Sequence, residues 1–173
     1  MRRIALLCLT LGIAATNAPA ASKDTTLALV AYSTPKEAFA KIIPAFQATP
    51  AGRGINFTQS YGPSGDQAQA IVAGLPADVV DLSLAPDLQT LVKAGLVDKS
   101  WDKNAYQGIV TRSVVVFVVR QGNPKHIKDW GDLVKPGVEV LTPNPFTSGG
   151  ARWNVMAAYG AQLRAGKTPA QAT

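Results

Sequence analysis

The chain has 173 residues (18.1 kDa), room for one ordinary domain or part of a larger protein. Hydrophobic residues make up 47%, charged residues only 16%, and mean hydropathy is +0.09; this excludes intrinsic disorder and fibrous repeats and is thin for a nucleic-acid binder. The formal charge of +6 falls to +4 when Arg2 and Arg3 leave with a leader that carries no acid, a mild positive field suited to small anions.

The leader comes first in the chain. Arg2 and Arg3 form a basic start, residues 4–15 are apolar, and Ala18-Pro19-Ala20 puts small residues at the positions of a cleavage site. This is the pattern of a secretory signal peptide over 1–20; the apolar run is too short to cross ~30 Å of hydrocarbon as a helix. The sole cysteine, Cys8, leaves with it, so the exported chain has no disulfide and no thiol-based metal or redox site.

From residue 25 short apolar runs alternate with helical spacing. Residues 26–32 predict a buried strand, followed by Ser33 as a cap and Pro35 in the first turn of a helix. That helix carries Phe39, Ile42, Ile43 and Phe46 on one stripe and stops at 50–54. A second strand is expected over 55–60 and a helix over 66–73, closed by Gly74. A third strand over 77–83 leads to a helix over 87–94, stopped by Gly95. The run SVVVFVV at 113–119 is the strongest strand signal and implies burial on both faces. A short helix within 124–134, a strand over 137–141 and a helix over 151–165 complete the pattern, with Trp153 read as packing. Strand–helix alternation predicts an α/β architecture.

Constellations for catalysis are missing. His126, the single histidine, lies in the basic stretch NPKHIKDW without triad or metal partners and reads as a surface residue. Asp78, Asp81 and Asp87 scatter around one strand and the next helix, and Asp87 reads as a helix-terminus charge. No phosphate-binding or dinucleotide glycine loop is present, and Gly62-Pro63-Ser64-Gly65 is not a nucleophile elbow. What stands out is three strand-to-helix junctions, at Ser33-Thr34-Pro35, at Ser64-Gly65 and at Thr147-Ser148-Gly149-Gly150. Each sets a hydroxyl residue and free backbone N–H groups just past the carboxyl end of a strand, where open α/β sheets bind ligands and helix starts favour anions. Asp66 is an acid near the second junction and is expected to point away as a dipole charge.

At these residues the chain resembles a known family. SYGPSGDQAQAIVAGLPADVV, LAPDLQTLVKAGLVD and GIVTRSVVVFVVRQGNPKHIKDWGDLVKPGVEVLTPNPFTSGGARWN are similar to the periplasmic sulfate/thiosulfate-binding proteins of ABC importers, over residues 27–160. The resemblance implies a type II periplasmic binding protein with two lobes and a tetrahedral oxyanion held between them by neutral donors, mostly backbone N–H groups. Carried to matching positions, those donors are Ser33, Ser64, Ser148, Gly149 and Gly150. It implies an inner-membrane ABC permease as partner, a monomer in the periplasm, and neither cofactor nor metal, nucleic acid nor catalysis. On this reading residues 21–108 are the N-terminal part of lobe I, and 109–173 are the crossing and the start of lobe II.

The chain departs from the family's usual pattern in two places. Ser33-Thr34-Pro35 stands where better-known members carry Asp-Pro-Thr, and Pro63 replaces a glycine of the serine turn. Members are also about twice as long, on a plan of two domains of ~100–150 residues. The chain is therefore expected to be a truncated or partial product, lacking a ligand tryptophan that Trp153 does not match. A molybdate, tungstate or other oxyanion receptor of the same fold, and an exported hydrolase using His126, are the alternative readings.

Overall fold

The computed structural model describes residues 24–173. The leader expected over 1–20 lies outside them. Three parallel strands, β1 (Thr25–Tyr32), β2 (Ile55–Gly62) and β3 (Val79–Asp81), form a sheet of order β2-β1-β3. Parallel neighbours need a crossover, and α1 (Lys36–Gln47) and α2 (Ser64–Val72) supply the two that build this sheet. The register runs from Thr25↔Ile55 to Tyr32↔Gly62 and from Leu29↔Val79 to Ala31↔Asp81. All three strands therefore end at one edge of the sheet.

Val30 faces α2 and α3 (Ala85–Lys93) and packs with Ala68, Ile71 and Leu91, with Leu75, Val80, Leu82 and Leu88 around them. Leu29 and Ala31 are buried as well, as expected of a central parallel strand. α1 covers the sheet through Phe46 against Phe57, with ring centroids 6.2 Å apart, and Phe39 against Tyr61 at 6.4 Å.

The chain beyond Lys93 holds a 3₁₀ helix at Trp130–Val134, then α4 (Gly149–Arg164) and the short α5 (Pro169–Ala172). The expected strands at 113–119 and 137–141 do not form: among the described residues neither segment joins the sheet. A β-branched run states a preference for a pleated, covered surface, and a strand exists only when a neighbour takes its N–H and C=O groups. Nor is 113–119 buried on both faces. Phe117 alone is tied down, edge-on to Trp130 at 4.9 Å, while Val114, Val116 and Val118 are 79%, 67% and 93% exposed. The third strand is shorter than the expected 77–83, and only the 3₁₀ helix forms within 124–134.

That 3₁₀ helix has its own lock. Asp132 accepts the backbone N–H groups of Lys128 (2.7 Å) and Asp129 (3.1 Å) and pairs with Lys135. Lys135 and the two N–H groups hold its carboxyl at about 2, below an ordinary aspartate. A carboxyl depressed in the folded state stabilises it above the unfolded pKa of ~3.9, and that contribution is lost as pH falls towards 2. Trp130 fluorescence should therefore report opening of this segment between about pH 4 and 2. In Asp132→Asn the acid step should vanish; an identical acid transition in that variant would rule out the lock.

Candidate functional site

The carboxyl edge of the sheet is where the helix starts gather. Tyr32 and Gly62 are register partners, so Ser33 and Pro63 leave adjacent strands side by side. β3 ends at Asp81, and Ser83 and Leu84 lead into α3. α4 reaches the same edge from the far part of the chain. The Gly65 N–H donates to the Thr147 carbonyl (3.1 Å), which ties the first turn of α2 to the turn before α4.

Ser64 sits at the centre and is almost fully buried. Its hydroxyl donates to Asp87 Oδ2 (2.6 Å) and accepts the Ser83 N–H (3.0 Å). The hydroxyl hydrogen is thereby committed, so Ser64 has only its backbone N–H to offer a ligand. Asp87, 5% exposed, also pairs through Oδ1 with Arg152 Nη1 (3.3 Å). Arg152 donates its remaining groups to the carbonyls of Pro145 (2.8 Å) and Phe146 (3.0 Å), fixing the turn that carries Ser148. A chain of contacts thus runs from α2 through α3 to α4.

Ser148 caps α4, its Oγ accepting the Ala151 N–H (3.3 Å) with its own hydrogen left to donate. The N–H groups of Gly149 and Gly150 lie in the first turn, where no intrahelical acceptor exists. Gly149 is buried against Ser83: a Cβ there would come within 1.9 Å of Ser83 Oγ and 3.1 Å of Leu84 Cγ. Only glycine allows this approach. Gly150 is exposed.

Of the expected site residues, Ser64, Ser148 and Gly149 are drawn together, with Gly150 adjoining them on α4. Ser33 lies exposed at the end of β1, on the same edge but outside the contact chain. It does not cap α1: Pro35 holds the cap position without a side-chain bond, and the Ser33 carbonyl accepts the Lys36 N–H (3.3 Å). Asp66 is exposed, as is His126. Burial raises the Asp81 carboxyl above its ordinary range, and desolvation followed by Asp81 itself raises the Tyr32 phenol.

Asp87 lies in the first turn of α3, as expected of a helix-terminus charge, and is in addition a buried link in the network; its place among Leu84, Leu88 and Leu91 at helical spacing was the available signal for that burial. Trp153 is half exposed, and its indole N–H donates to the Ser83 carbonyl (3.0 Å), so it is not mere packing. Among the described residues, no group of three or more His, Cys, Asp or Glu could hold a metal, and no helix is long and apolar enough to cross a membrane.

A parallel sheet with helix starts converging on its carboxyl edge is the design of solute receptors of the type II periplasmic-binding fold, and the comparisons agree. Residues 27–171 match a family described as bacterial extracellular solute-binding protein, and the chain belongs to that family. Among named relatives, a sulfate-binding protein of Synechococcus elongatus is 48% identical over 148 residues, covering 83% of this chain and 42% of the relative. A thiosulfate-binding protein of Pseudomonas aeruginosa is 39% identical over 142 residues, 79% of this chain and 43% of the relative. The solved structure of the sulfate-binding protein SubI from Mycobacterium tuberculosis superposes with a TM-score of 0.82 at 49% identity, covering 86% of this chain and 52% of that one. The chain spans about half the length, or less, of the proteins it matches.

Proposed function

We propose that this chain belongs to an exported, non-enzymatic receptor that captures sulfate or thiosulfate and delivers it to an inner-membrane ABC permease. The observation that carries the reading is the convergence of α2 and α4: two helix starts, joined through Gly65 and Thr147, bring the N–H groups of their first turns to one edge of the sheet. The names of the relatives supply the choice of anion. The donors are the N–H groups of Ser33, Ser64, Gly149 and Gly150, and the hydroxyl of Ser148, whose own N–H is held by the Asn144 carbonyl (2.8 Å). Residues 1–20 are the secretory signal, 21–108 belong to the first lobe, and 109–173 make the crossing and open the second. The receptor works as a monomer in the periplasm, without metal or cofactor.

Such a site is rich in donors and poor in acceptors. Sulfate is fully deprotonated at neutral pH and needs only donors, whereas monohydrogen phosphate would bury a proton without a partner, at a cost of about 1–3 kcal/mol. Calorimetry on the protein as its gene encodes it should give sulfate about five- to 150-fold over phosphate. Ser148→Ala should weaken sulfate by about 1.5–3 kcal/mol, the worth of a hydrogen bond to a charged group. Gly149→Val should do more harm, because its side chain would collide with Ser83 and push α4 away. Equal affinity for phosphate, or a Ser148→Ala variant that binds like the parent, would refute the site; a preference for molybdate would replace the anion.

A further inference from the structure

We infer that Trp153 is a positioning residue of the oxyanion site, holding the first turn of α4 against the start of α2 through the carbonyl of Ser83. The inference rests on the proposed function and adds a residue outside its donor set. Ser83 touches both sides of the site. Its N–H goes to the Ser64 hydroxyl (3.0 Å), its carbonyl takes the Trp153 indole N–H (3.0 Å), and its Oγ fills the space over Gly149. That Oγ is buried and has no hydrogen-bond partner among the described residues, so it contributes contact and no bond.

The Trp153 ring is 51% exposed, too open for its packing to explain a tryptophan there. Its polar end, by contrast, spans 70 positions of sequence to reach a residue bonded to Ser64. The donors of α2 and α4 come from distant parts of the chain, and a rigid anion needs them in one register. Arg152 braces the turn from the Asp87 side and Trp153 braces it from the Ser83 side. Two neighbouring side chains of one helical turn thus fix α4 at two points.

The test uses the protein as its gene encodes it, with sodium sulfate as the probe. Trp153→Phe keeps the apolar ring and removes only the N–H. Sulfate should leave this variant about three- to tenfold faster in stopped-flow displacement, with its association rate unchanged within about twofold. The ¹⁵N-labelled indole of Trp153 should exchange its proton more slowly with sulfate bound than without. Unaltered release from Trp153→Phe, or indole exchange indifferent to sulfate, would each overturn the inference. Failure of the proposed function would look different, since the parent itself would then bind neither sulfate nor thiosulfate.

Discussion

Replacing Asp87 by alanine is expected to lower stability by about 2–4 kcal/mol, although the residue lies outside the proposed donor set. The carboxylate is buried and serves two partners: it accepts the Ser64 hydroxyl at 2.6 Å and pairs with Arg152 at 3.3 Å. Removing one member of a buried pair costs about 3–5 kcal/mol when the other charge stays buried. Arg152 is 38% exposed and can recover some hydration, which lowers the figure, while the Ser64 hydroxyl loses its acceptor in a closed space, which raises it. Asp87→Asn should fall between, because an amide oxygen still accepts from Ser64 but no longer balances the guanidinium. Urea unfolding should show a lower midpoint at an unchanged slope. A loss below about 1 kcal/mol in Asp87→Ala would mean that the network adds little beyond its solvated parts.

The second large effect concerns 109–119. In the 173-residue chain residues 110–119 join no helix or strand, and Val114, Val116 and Val118 are turned to solvent while Phe117 rests on Trp130. An exposed row of unpaired backbone groups beneath β-branched side chains is a template for pairing with another chain. Expressed at these 173 residues, the protein should elute as concentration-dependent oligomers in size-exclusion chromatography. Lysine at positions 114, 116 and 118 together should restore a single small species, because charge on an open strand blocks edge-to-edge addition. The β1–β3 sheet makes no use of these side chains, so circular dichroism should be unchanged. A parent that stays monomeric at high micromolar concentration would refute the prediction.

The two effects separate what holds the fold from what exposes it. Residues 25–95 supply a sheet with helices against it and a small core around Val30 and Leu91. α4 is fastened to that unit at its first turn, by Arg152, Trp153 and the glycine at 149, and its exposed side carries Val155 and Met156. The proposed anion site lies at this fastening. Its geometry therefore depends on a few polar bonds more than on a broad apolar interface, which is why single substitutions at 87, 149 and 153 are expected to be felt.

Much of this was legible in order of residues. Alternating apolar runs and helical stripes placed β1, β2, α2, α3 and α4 to within a few positions, because periodicity and helix stops are local properties. Ser148-Gly149-Gly150 was readable as a helix start with free N–H groups, since the cap chemistry is contained in four consecutive residues. The same local logic overstated 113–119 and 137–141, where propensity was present and a pairing partner was not. By itself the sequence determined the α/β class, the family, and the hydroxyl- and glycine-rich turns at the sheet edge. Only the tertiary structure decided that Ser64 spends its hydroxyl on Asp87, that Asp87 is buried against Arg152, and that Trp153 reaches Ser83. Those partners stand 23, 65 and 70 positions apart, and contacts at such separations are set by how the crossovers and connecting loops return the chain to one edge of the sheet, which no local pattern encodes.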